Sequence, residues 1–304
     1  MTGTVSLIIP TYNRAAYLDR LLFYLKIQKF SHPIYVLDGS PDEYGIENQT
    51  VVQKHNNFLD IHYEFHPKTE PYLRIYNKLK DITTPYVVIN NDDDFVLPSM
   101  IEKGIAFLEN NPDYSVFHGR TIVFDTQENE PLGDVVEMRE FRQNSLSQES
   151  SLERVCLFHS DYNSLWRSVQ RTDLLAKAFQ ISIDYRFDHF FSELYPSLFC
   201  TAKGKIKRDS SLYSLITGNN PRYFDRSWYQ AKLKWVLQPD WHEKCLQYIN
   251  SLSEIICEID KADYNHVYQE MVIGFENYLA GFFGQPDDLH KIYKNNDFYS
   301  RWFR

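Results

Sequence analysis

The sequence predicts an α/β fold: a mostly parallel sheet flanked by helices, followed by a C-terminal helical appendage. Three observations predict it. Short apolar runs alternate with stretches of helical periodicity through the first third of the chain, which is the pattern of a parallel sheet covered on both faces. Three of the four first runs end in polar clusters, as strands do when they point toward a ligand. From Ser227 onward the strand pattern stops and only helical spacing remains.

Val5-Ser6-Leu7-Ile8-Ile9-Pro10 is mostly apolar and reads as a buried parallel strand rather than a half-exposed one. Asn13 is a good N-cap, and Leu18, Leu21, Leu22 and Leu25 then recur at helical spacing through Gln28. Ile34-Tyr35-Val36-Leu37 is a second strand, closed by the turn-forming cluster Asp38-Gly39-Ser40-Pro41. A helix is expected over 43–56, a strand over 59–65, a helix over 71–81 and a fourth strand over 86–89.

That fourth strand runs into Asn90-Asn91-Asp92-Asp93-Asp94. Three consecutive carboxylates repel one another at neutral pH. A hard cation such as Mg2+ or Mn2+ would remove the repulsion, and it commonly shares carboxylates with substrate phosphates. An acidic loop that caps the following helix is the alternative. The neighbouring strand ends, Thr11-Tyr12-Asn13 and Asp38-Gly39-Ser40, should converge on the same edge, which favours a site. The first turn has no G-x-G-x-x-G, which disfavours a dinucleotide fold.

These motifs resemble those of family 2 glycosyltransferases, enzymes of the GT-A (Rossmann-like) fold. The opening Val5-Ser6-Leu7-Ile8-Ile9-Pro10-Thr11-Tyr12-Asn13-Arg14 is similar to theirs. Asp38-Gly39-Ser40 resembles their second-strand motif, with Leu37 in place of a first acid. Thr83-Thr84-Pro85-Tyr86-Val87-Val88-Ile89, the acidic cluster and Leu97-Pro98 resemble their D-x-D region. The resemblance implies a donor pocket lined by Pro10, Thr11, Tyr12, Asn13 and Arg14, with Thr11, Tyr12 and Asp38 on the base. It puts Arg74 and Asn77 near the ribose and diphosphate, and Asn91 and Asp92 at the ribose or metal. Asp93 or Asp94 would coordinate Mn2+ or Mg2+. The donor would be a UDP, GDP, dTDP or CDP sugar, and the acceptor a glycan, lipid-linked or protein-linked hydroxyl. Bacterial surface polysaccharide or glycoconjugate synthesis is the usual setting of such enzymes.

The chemistry agrees with that implication. A sugar–nucleotide bond breaks as the diphosphate leaves, and a divalent cation neutralises its developing charge. Inverting transfer also needs a carboxylate that takes the acceptor's proton. The resemblance puts this base at the start of a helix within Asp184-Tyr185-Arg186-Phe187-Asp188-His189-Phe190-Phe191-Ser192-Glu193. Asp188 fits the spacing and the aromatic residues that follow it. Glu193 fits an alignment counted back from Gly204, and Asp184 is a third choice. Trp166 is either a sugar platform at the acceptor or a core residue.

Between these motifs, a helix is expected over 98–110 and two extended segments over 115–119 and 121–124. His118 is read as structural. Residues 126–150 are polar and acidic, and read as a solvated loop or a connection that folds over the acceptor site. A helix over 151–158, a strand over 163–169, a helix capped by Thr172 or Asp173 and a turn and strand over 200–207 follow. Arg222, in the loop 218–222, is a surface residue or a diphosphate contact. The expected division is a GT-A catalytic domain over 1–222, with a nucleotide-sugar half over 1–125 and an acceptor half over 126–222. Helices over 223–304 then pack on each other or on a partner, such as a second copy. The tail 298–304 mixes aromatics with arginines, which suits a membrane interface or docking onto protein.

Composition narrows the class. The chain has 304 residues, 43% hydrophobic and 24% charged, so it can bury a large core. A net charge of −9 argues against a nucleic-acid partner. Cys156, Cys200, Cys245 and Cys257 form no C-x-x-C pair and read as free thiols. Neither a signal peptide nor a long apolar run is seen, so a cytoplasmic location is expected, with the inner membrane face as the place of peripheral contact. A catalytically degenerate protein that binds a nucleotide sugar or glycan is the alternative to the enzyme. A nucleotidyltransferase ranks below both, because Arg14 alone is basic between Thr11 and Asp19.

Overall fold

The computed structural model describes residues 4–141, 143–218 and 232–283. Among them nine strands form one mixed sheet, in which 61–65, 34–38, 5–11, 86–89, 169–171, 114–126, 205–217 and 95–96 lie side by side in that order and 135–141 pairs with 114–126. Its parallel part is β1 (Val5–Thr11), β2 (Ile34–Asp38), β3 (Ile61–Phe65) and β4 (Tyr86–Ile89). Helices α1 (Ala15–Ile27), α2 (Asp42–His55) and α3 (Pro71–Asp81) connect these strands. Elements 71–81, 86–89 and 98–110 have the bounds that the pattern predicts.

Alternation along the strands sorts the core into two layers. Val5, Leu7, Ile9 and Val88 face one way, toward α1, α2 and α4 (Pro98–Asn110). Ile8, Val87 and Ile89 face the other, toward α3 and the second half of the chain. That half contains β5 (Phe95–Val96), β6 (Tyr114–Thr126), β7 (Val135–Phe141), β8 (Val169–Arg171) and β9 (Lys205–Thr217). Its helices are α5 (Ser151–Ser160), α6 (Thr172–Asp184), α7 (His189–Lys203), α8 (Trp241–Asp260) and α9 (Tyr264–Phe283). Leu252 and Ile256 of α8 and Met271 and Phe275 of α9 share one buried cluster with Ile75, Phe191 and Leu198. The C-terminal helices therefore complete the core over α5 and α7.

Several local expectations are corrected. Asn13 is not the N-cap of α1. Arg14 holds that position, and Asn13 sits at φ 53, a left-handed conformation that asparagine tolerates, with its N–H donated to Ser40 Oγ at 2.8 Å. The segments 115–119 and 121–124 are one strand, β6. Gly119 does not break it but permits close approach of β9, since a Cβ there would lie 2.8 Å from the Ser211 carbonyl. Residues 126–150 are not one loop: a 3-10 turn at Gln127–Asn129 leads into β7, which pairs antiparallel with β6. Residues 163–165 are irregular, 166–168 turn, and only Val169–Arg171 is strand. Neither Thr172 nor Asp173 caps α6, whose N-cap is Arg171. Cys200 lies inside α7, which runs on to Lys203. Arg222 and the tail 298–304 lie outside the described residues. No helix among the described residues is long and apolar enough to cross a membrane.

Candidate active site

The carboxyl ends of β1 and β4 open into a cavity of about 710 Å3. Pro10, Thr11, Tyr12 and Arg14 border it on one side, with Asn91, Asp92, Asp93 and Asp94 beside them. The turn 164–167 and the first turns of α7 form the far side through Trp166, Arg167, His189 and Glu193.

The acidic end is built from opposite charges. Arg14 reaches Asp92 Oδ1 at 3.0 Å and Asp93 Oδ2 at 2.5 Å, with its guanidinium 4.5 Å from the Tyr17 ring centre. Thr11 donates its hydroxyl to Asp92 Oδ2 at 2.7 Å. Asp94 is held harder. Its Oδ1 accepts the Thr217 backbone N–H at 3.0 Å, while Oδ2 accepts from Asn91 at 3.1 Å and Arg167 at 2.9 Å. Arg20 of α1 donates to the Asp93 carbonyl at 2.7 Å and so ties the loop to the helix. Burial pushes the pKa of Asp92 and Asp94 up, and Arg14 and Arg167 respectively oppose it. Burial would depress Arg14, but Asp92 and Asp93 outweigh it and keep the guanidinium charged.

The residues suit a divalent cation. Carboxylate oxygens are what Mg2+ and Mn2+ prefer, and Asp93 Oδ1 accepts no hydrogen bond among the described residues. Arg14 already sits as a cation between Asp92 and Asp93. No three acidic, His or Cys side chains among the described residues converge as a complete cage.

Asp38 lies outside the cavity, contrary to the expectation that it meets the base. Its carboxylate is fully buried and accepts from Ser40 N at 2.8 Å, Asn48 at 2.9 Å and Tyr63 at 2.7 Å. Arg74 faces the cavity instead. Its guanidinium lies against Gly39 and donates to the carbonyls of Leu37 and Thr11. Asn77, one turn along α3, is exposed and does not line the cavity, and neither does Asn13.

Asp188 and Glu193 part company at the start of α7. Asp188 is the N-cap: Oδ1 accepts from Phe190 N at 3.0 Å and Phe191 N at 3.2 Å. Its Oδ2 accepts from Trp235 Nε1 at 3.0 Å and has Lys244 at 3.7 Å. It does not line the cavity, and both its oxygens are engaged in holding structure. Asp184 is exposed at the end of α6 and accepts from Gln180. Glu193 lines the cavity, and burial raises its pKa against the opposing charges of His189 and Arg167. Trp166 is half-buried at the cavity wall, with its ring centre 6.0 Å from that of Tyr72.

Sequence reasoning missed Arg167, Thr217, Tyr72, Arg139 and His189, which all line the cavity. Arg167 had a weak signal, as a basic residue next to a singled-out Trp. Thr217 had none, because it acts on Asp94 through its backbone N–H. His118 is buried away from this cavity, and burial pushes it down to about 4, which agrees with a structural histidine.

Residues 6–169 match the family described as glycosyl transferase family 2. Among solved structures, residues 1–349 of S. aureus TarS in complex with UDP-GlcNAc superpose with a TM-score of 0.51 at 15% identity, covering 93% of each chain. A longer S. aureus TarS chain gives 0.50 at 15% identity, with 91% of the present chain and 55% of that chain covered, so the chain spans about half of its length. The complex of the 1–349 fragment with UDP gives 0.50 at 17% identity, covering 93% and 92%. At these identities the likeness speaks for the fold. No curated protein matches by sequence.

Proposed function

Since the chain belongs to glycosyl transferase family 2, a match that covers more than half of its length, we propose that it is a metal-dependent, inverting transferase, moving a sugar from a nucleoside diphosphate to a hydroxyl acceptor. The observation that carries this reading is that one cavity holds both required ends. Paired carboxylates, Asp92 and Asp93, stand past the carboxyl end of β4 beside Thr11 and Arg14 at the end of β1, and a raised carboxylate, Glu193, stands on the opposite wall.

In this reading Thr11, Tyr12 and Arg74 border the nucleoside, and Asn91 and Asp92 the ribose side. Asp93 is the better metal ligand of the two open choices, because both oxygens of Asp94 are already engaged. When bound, a divalent ion neutralises the leaving diphosphate. Arg167 fixes Asp94, and Arg20 fixes the backbone of Asp93, so the acidic loop keeps its shape as charge changes beside it. Glu193 takes the proton of the attacking hydroxyl, and a raised pKa makes it the stronger base. Trp166 and Tyr72 offer ring faces and edges for an acceptor sugar. A cell-surface glycan or glycoconjugate is the acceptor class that the family membership favours, and Mn2+ or Mg2+ the ion.

The test is a thermal-shift panel of UDP, GDP, dTDP and CDP with and without Mn2+, followed by hydrolysis and transfer assays on the corresponding sugar nucleotide. One nucleotide should raise the melting temperature, and more so with Mn2+. A flat response to all four sinks the reading.

A further inference from the structure

Two arginines neutralise the acidic loop, and they are anchored differently. Arg167 is part of the framework. Its N–H donates to the Ile89 carbonyl at 2.6 Å, its own carbonyl accepts from Tyr213 at 2.6 Å, and its side chain is 11% exposed. Arg14 stands at the start of α1, on the cavity wall, with its side chain 22% exposed. It spans Asp92 and Asp93, the very pair that borders the open oxygen Asp93 Oδ1.

We propose that Arg14 is a displaceable internal cation, which occupies the metal end of the cavity until a divalent ion with its nucleoside diphosphate takes over the carboxylates. The argument is one of charge and space. Without any counter-ion, adjacent carboxylates in a largely buried loop repel strongly, because screening there is weak. Arg14 removes that repulsion at contact distance from two of them. A dication bound to Asp93 would face the same guanidinium, and like charges at contact oppose each other. The free ion is therefore a poor competitor. An ion that brings a diphosphate supplies negative charge for the released guanidinium, which the Tyr17 ring flanks at 4.5 Å. The site discriminates against metal alone and takes metal with donor as a unit.

This rests on the proposed metal-dependent function, and the experiment separates the two. Mn2+ binding is measured by titration calorimetry or by the paramagnetic resonance of free Mn2+, with and without UDP and the nucleotide selected in the panel. Wild-type chain, Arg14→Gln and Arg14→Lys are compared, each first checked for a cooperative unfolding transition. Arg14→Gln should bind Mn2+ alone about tenfold tighter or better, the direction expected when an opposing unit charge is removed at contact distance. Arg14→Lys keeps the charge but loses the fork, so it should gain only a few-fold. If Arg14→Gln fails to fold, the Arg14→Lys gain carries the test. Unchanged or weaker Mn2+ binding in the folded variants overturns the proposal while leaving the transferase reading intact. If wild type binds no Mn2+ even with nucleotide present, the metal-dependent reading fails and this inference fails with it.

Discussion

The two walls of the cavity use their carboxylates in opposite ways. At the end of β4, three aspartates are held by Arg14, Arg167, Thr11 and Thr217, so their charges are balanced in place. At the start of α7, two carboxylates divide the work. Asp188 spends both oxygens on the helix N-terminus, Trp235 and Lys244, while Glu193 is left to face the cavity with its pKa raised. A balanced acidic cluster suits binding of a charged donor. A desolvated carboxylate without a dedicated cation suits proton transfer. The difference teaches that sequence adjacency to a helix start is a poor guide to which acid reacts, since the same position is where a cap is needed.

The sharpest way to break this comparison is to neutralise the far wall. Glu193→Gln should lower sugar transfer by about 10^2- to 10^4-fold, the usual range for a lost general base, while the nucleotide selected in the panel still raises the melting temperature. Transfer assays beside thermal shifts check both halves. A near-normal rate in this variant moves the base elsewhere.

Next in size is the near wall. Asp94→Asn takes the partner from the buried Arg167 guanidinium but also relieves a carboxylate whose pKa burial has raised, so a net loss of about 1–3 kcal/mol in unfolding free energy is expected. Asp93→Asn should cost far less stability but remove the benefit of added Mn2+ to donor turnover. Urea unfolding and metal titration of the pair check this. Equal destabilisation would mean that both aspartates are framework residues.

How much of this was legible in the sequence follows the same divide. The first four strands and three helices show plainly, because β1, β2 and β4 are nearly all apolar, the edge strand β3 alternates, and local turn residues mark the strand ends. The acidic loop was legible for the same reason. What balances it was not: Arg167 is 73 positions from Asp94, and Thr217 contributes a backbone N–H that any residue but proline carries. The burial of Asp38 was not legible because its partners, Asn48 and Tyr63, come from α2 and β3. For Asp188 a signal existed. An aspartate directly before a helical run is a favoured N-cap, and that rule competes with catalytic spacing. The long strand β6 and the hairpin with β7 were obscured by Gly119 and by an exposed β7 without strict alternation of apolar and polar residues.

The far wall also leans on the C-terminal helices, through Trp235 and Lys244 at Asp188 and through the shared core. Leu252→Ala, at a fully buried position, should destabilise the protein by about 2–5 kcal/mol. Fluorescence and circular dichroism should then move together in one transition. Two separated transitions would mean that the helical region folds apart from the sheet. Asp188→Ala should be milder, about 1 kcal/mol for a lost cap, with transfer per folded molecule changed only a few-fold. A steep loss of transfer at unchanged stability would reverse the roles of Asp188 and Glu193.

The smallest expected effect is in the pH dependence, and it carries a definite sign. Burial raises the Glu193 pKa in the folded chain above its unfolded value. A base works deprotonated, so transfer should fall as pH drops through this raised value, above the ordinary glutamate range of about 4.3. Glu193→Gln should lose that acidic limb along with most of the rate. Stability runs the other way. A group with a raised folded pKa contributes fully below its unfolded pKa, and the contribution is lost as pH rises through the folded value. Replacing Glu193 by the neutral amide should therefore raise the melting temperature at pH 8 relative to wild type, and the gain should vanish near pH 4. Melting curves of the two proteins across this range measure it directly, because the titrations of Asp92 and Asp94 are common to both and cancel in the difference. A constant offset at every pH would mean that Glu193 is not desolvated, and the contrast between the two walls would rest on geometry alone.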